Sequence, residues 1–80
     1  MQNFVVFCRL VESPSTTLYY KGTENKKNVP FALNTIVAFD PSQAMNFKSK
    51  KKAVFLCKIL NKDKKSLQKA GFTTFQVTTH

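Results

Sequence analysis

The chain has 80 residues, 42% of them hydrophobic, and a net charge of +9. That composition describes one small globular domain spanning residues 1–80, with little room for a deep catalytic cleft, rather than a disordered chain. Uninterrupted apolar runs such as Phe4–Phe7 and Ala53–Cys57 fall far short of the ~20 residues of a membrane-spanning helix, and no basic region precedes an apolar stretch at the start, so neither a span nor a secretory leader is expected.

Phe4–Glu12 (FVVFCRLVE) predicts a strand with Phe4, Val6, Cys8 and Leu10 on one face and Val5, Phe7, Arg9 and Val11 on the other. Apolar residues on both faces mark a central strand. Ser13-Pro14-Ser15 signals a turn, and Thr17–Lys21 (TLYYK) is β-prone at hairpin distance. Tyr19 and Tyr20 are adjacent there, so one faces the core and the other does not. Lys21–Asn28 reads as an exposed, mobile loop. Phe31–Phe39 fits strand or helix; Thr35, Ile36, Val37 and Phe39 favour a strand.

Asp40-Pro41 offers an N-cap followed by Pro at the first helical position, for a short turn through Ala44. Ser49 is a second cap candidate. Lys50–Asn61 carries the clearest helical pattern, with Ala53, Leu56, Cys57 and Leu60 at i, i+3, i+4 and i+7. One more turn is expected before Gly71, a plausible C′ residue, and Phe72–Thr79 is a Thr-rich last strand. The order β-β-(β)-α-β predicts an α+β fold: a mainly antiparallel sheet of three or four strands with one main helix on one face.

Catalytic signals are absent from the pattern. The four acids, Glu12, Glu24, Asp40 and Asp63, form no close pair for acid–base work. Asp40 reads as a cap, Glu12 as a strand-end residue, and Glu24 and Asp63 as surface residues. The lone His is the terminal His80. Two glycines cannot build a phosphate loop, and two distant cysteines with one histidine give no metal-ligand spacing. The expectation is therefore no enzyme, no metal and no cofactor. Cys8 and Cys57 each fall in an apolar segment and read as reduced core residues of a cytoplasmic protein.

The charge is concentrated. Residues 1–40 carry a net +1, whereas residues 41–80 carry nine Lys against Asp63, a net +8. Such a field implies an anionic partner. On a helical wheel Lys51, Lys58, Lys62 and Lys65 form a stripe opposite the buried face, which Lys69 extends if the helix continues. Lys50, Lys51 and Lys52 occupy the first turn, where the helix dipole is already positive and each costs about 0.3–1 kcal/mol at low salt. A bound anion relieves that repulsion. Val54 and Phe55 flank the stripe, making Phe55 an apolar anchor within a basic patch if it is exposed.

Ser49-Lys50-Lys51-Lys52-Ala53 resembles the start of the last helix in double-stranded RNA-binding domains, which implies phosphate contacts for Lys50 and Lys51. The chain lacks that family's first helix and Gly-rich approach, and adds a strand afterwards. Phe47-Lys48-Ser49 with Ala53 and Leu56 is similar to the strand-to-helix step of the hybrid-binding domains attached to ribonucleases H, without their tryptophan and glycine signals.

The expected function is a small non-catalytic binding module contacting nucleic-acid phosphates through residues 48–69, with Lys48, Lys50, Lys51, Phe55, Lys58, Lys62, Lys65 and Lys69 as contacts. Lys supplies point charges, and the single Arg9 makes bidentate base reading a poor fit. The alternative is a protein-binding inhibitor of the bacteriophage accessory type. It would act in a bacterial or phage-infected host cell and present the same surface, with Val54 and Phe55, to an acidic patch on a host enzyme or defence nuclease.

Overall fold

Burial on both faces of the first strand organises the rest of the chain. The computed structural model describes residues 3–23 and 35–80. Its elements are β1 (Phe4–Arg9), β2 (Thr17–Thr23), β3 (Thr35–Ala38), a single 3₁₀ turn (Pro41–Gln43), α1 (Lys50–Asn61), α2 (Lys64–Ala70) and β4 (Gln76–Thr79). The strands form one four-stranded sheet in the order β3-β2-β1-β4, and every neighbouring pair is antiparallel. This is the small α+β architecture expected.

Val6 and Cys8 of β1, Leu18 and Tyr20 of β2, Ala53, Cys57 and Leu60 of α1, Leu67 of α2 and Phe75 share one core. Leu60, completely buried, is the anchor of α1, and full burial of such a side chain is worth about 1.5–3 kcal/mol. Leu56 packs against the same core from a partly buried position. On the opposite face of β1, Val5 is buried, Phe7 partly so and Arg9 exposed, as the two-sided pattern predicts for a central strand.

Several boundaries differ from expectation. β2 runs to Thr23, so Lys21, Gly22 and Thr23 of the expected loop are strand; residues 24–28 lie outside the described part, as do Phe31–Asn34 of the ambiguous segment. Phe39 is not in β3 and is exposed. The last strand begins at Gln76 rather than Phe72. Phe72 instead makes an isolated bridge to Leu10, and its ring meets Phe75 edge-on at 6.0 Å.

The β1–β2 ladder holds only three pairs, Phe7↔Tyr19, Cys8↔Leu18 and Arg9↔Thr17. Past that point residues 45–47 bond to both strands. The Met45 N–H donates to the Tyr20 carbonyl at 2.9 Å, and Phe4 and Phe47 exchange two backbone bonds of 2.8 Å. This short segment fixes the start of α1 beside the N-terminal end of β1. At the helix's other end the Asn61 side chain grips Phe75, donating to its carbonyl at 3.0 Å and accepting from its N–H at 2.7 Å. The orientation of α1 is thus set by backbone bonds before its start and by a side-chain amide at its end.

Candidate functional site

The helix start is cationic and has no acidic counterweight. Ser49 sits at the N-cap with extended backbone, but its side chain makes no capping hydrogen bond, and no acid occupies the first turn. Lys50, Lys51 and Lys52 are all exposed there. The first-turn N–H groups, which no helix satisfies internally, thus share this end of α1 with three exposed lysines.

Further along α1, Ala53, Cys57 and Leu60 point into the core, which turns Lys51, Lys58 and Lys62 to solvent. Phe55 goes with them: it is 65% exposed, and Ile59, one turn on, is 36% exposed. Val54 is partly buried. Lys50, Lys51, Val54, Phe55 and Lys58 line a groove of about 350 Å³. Among the described residues its lining contains no carboxylate, and Val54 and Phe55 lie between the lysines.

The groove unites Lys50, Lys51, Phe55 and Lys58 of the expected contacts. Lys48 is exposed just before the helix, and Lys62 is the C-cap of α1. Lys65 and Lys69 are placed differently from the expected stripe. α1 ends at Asn61, and Asp63 starts a new helix by accepting hydrogen bonds from the Ser66 N–H and hydroxyl. Lys65 and Lys69 thus belong to α2. Lys69 lines a separate groove with Leu10, Glu12 and Gly71, where an acid is present. Asp63 is exposed, as expected of a surface residue, and is also the cap of α2. The Ser66 hydroxyl and N–H hold its carboxyl below the ordinary carboxylate value. Asp40 caps the 3₁₀ turn as expected, and the Ser42 N–H lowers its carboxyl likewise.

Tyr20 is the core tyrosine, 6% exposed with its ring 6.3 Å from Phe47, while Tyr19 is partly exposed on the opposite face. Both cysteines are free and buried; burial pushes the Cys8 thiol up to about 12 and that of Cys57 to about 11. Thiols so protonated at neutral pH are poor nucleophiles. Among the described residues no group of three or more His, Cys, Asp or Glu is placed to hold a metal ion, and no helix is long and apolar enough to cross a membrane. No protein-family model, curated protein or solved structure matches the chain.

Proposed function

We propose that the protein is a non-catalytic binding module that contacts nucleic-acid phosphates through α1. The observation that carries this reading is the groove shared by Lys50, Lys51 and Lys58, with no carboxylate among its described lining residues, beside an uncapped helix start. Lysines read phosphates as point charges, so binding is largely independent of sequence. With Lys62 on the same side, an effective count of about three to four phosphates gives a log–log salt slope of about −3 on duplex DNA.

Mobility-shift titration across salt concentrations tests this. The double variant Lys51→Glu, Lys58→Glu should flatten the slope by about 2 and lower affinity equally for unrelated sequences. Unchanged affinity and slope would remove the reading.

A specific observation keeps a second reading in play. Exposing about two-thirds of a Phe has no use in contacts made only to phosphates, and it suits an acidic protein surface with an apolar pocket. In that case Phe55→Ala abolishes capture of a protein partner that survives nuclease digestion of the lysate. It leaves nucleic-acid affinity nearly intact.

A further inference from the structure

The sheet has a second face, turned away from α1. Alternation in β1 sends Phe7 and Arg9 there, opposite Val6 and Cys8, and alternation in β2 sends Thr17 and Tyr19, opposite Leu18 and Tyr20. The register sets Phe7 directly across from Tyr19, and Arg9 across from Thr17. Together with Thr78 of β4 they line a shallow groove of about 200 Å³. The Arg9 guanidinium carbon stands 5.8 Å from the centre of the Phe7 ring. Val5, on the same face, is buried, so the open part lies toward Arg9.

We infer that this face stacks the bases of an unpaired nucleic-acid strand. Two partly exposed rings side by side on adjacent strands offer flat π-surfaces of the kind on which bases stack, and the guanidinium supplies a cation for stacking or for phosphate. Among the described residues the groove lining has no carboxylate and no aliphatic side chain, and the chain carries +9, so its charge complements a polyanion. The strand must be unpaired because a duplex hides its base faces within the stack. Stacking does not read the sugar, so DNA and RNA strands are taken alike. This surface is separate from the α1 groove, and the inference stands without the lysine reading.

The chain has two tyrosines and no tryptophan, and Tyr20 is buried, so quenching of intrinsic fluorescence by a bound strand reports chiefly on Tyr19. Titration with oligo(dT) and with oligo(U) should quench, and a blunt duplex should not. Tyr19→Leu and Phe7→Leu, followed by anisotropy of labelled strands, should each lower single-strand affinity about ten-fold and leave duplex affinity within about two-fold. Should either Leu variant fail to give a wild-type circular dichroism spectrum, the exposed Arg9→Gln decides, with an expected loss of about three-fold for single strands alone. No quenching by either oligonucleotide, equal quenching by duplex, or wild-type single-strand affinity in the folded variants would overturn the inference. Loss in the sheet variants with none in Lys51→Glu, Lys58→Glu would instead remove the α1 reading and leave this one standing.

Discussion

Replacing Asn61 by Ala severs the side-chain grip between the end of α1 and the segment entering β4. Two hydrogen bonds go, of 3.0 and 2.7 Å, and the Phe75 backbone loses the partner for both its carbonyl and its N–H. Each bond contributes about 1 kcal/mol net, and Asn61 is only partly buried, so water can re-solvate part of what is left. The loss is about 2 kcal/mol, from which the better helix propensity of Ala returns about 0.5. A net destabilisation of about 1.5 kcal/mol lowers the melting temperature of a domain this size by about 6–12 °C. Thermal unfolding followed by circular dichroism measures it, and urea titration should show a lower midpoint at constant slope. Asn61→Asp keeps an acceptor for the Phe75 N–H but sets a carboxylate oxygen against the Phe75 carbonyl at the negative end of α1, so it should be at least as destabilising as Ala at neutral pH. A melting temperature for Asn61→Ala, or for Asn61→Asp at neutral pH, within about 2 °C of wild type would refute the reasoning.

Alkylation without reductant should label both Cys8 and Cys57 once the chain is denatured, and hardly at all in the native state at pH 8, because both thiols are buried and protonated. A mass two protons short would show a disulfide. The same raised values mean that the folded state keeps the thiols' contribution below pH 9.0 and loses it as pH rises toward 11–12; alkaline urea midpoints should fall accordingly. Asp63 has the opposite sign: its lowered folded value gives stability present above 3.8 and lost as pH falls through the folded value. Asp63→Ala should therefore be less stable at neutral pH and show a flatter acid limb, and parallel pH profiles for the two proteins would contradict the cap's role.

Local pattern determined a good deal of this protein. The i, i+3, i+4, i+7 spacing of Ala53, Leu56, Cys57 and Leu60 identified α1 and its buried face, because a helix needs only its own residues to define a stripe. The two-sided apolar pattern of Phe4–Val11 likewise marked a central strand, and the Asp40-Pro41 pair marked its turn. The break at Asp63 was also legible: an Asp followed three residues later by a Ser that can donate back to it is a cap signal, one masked by the run of lysines around it.

Other features needed partners distant in sequence. Whether Tyr19 or Tyr20 enters the core depends on which face of the sheet α1 covers, and two adjacent strand residues are equivalent until that choice is made. The Asn61–Phe75 grip joins residues 14 apart through side-chain amide geometry that leaves no periodic trace. The segment 45–47 bonding to β1 and β2, and β4 returning beside β1 to cover its free edge, are long-range backbone pairings that no local propensity encodes. Those pairings seat α1 so that Phe55 stays in solvent, and they set Phe7 beside Tyr19. The sequence supplied the charges and aromatic rings; the packing of α1 against one face of the sheet decided which of them share a surface.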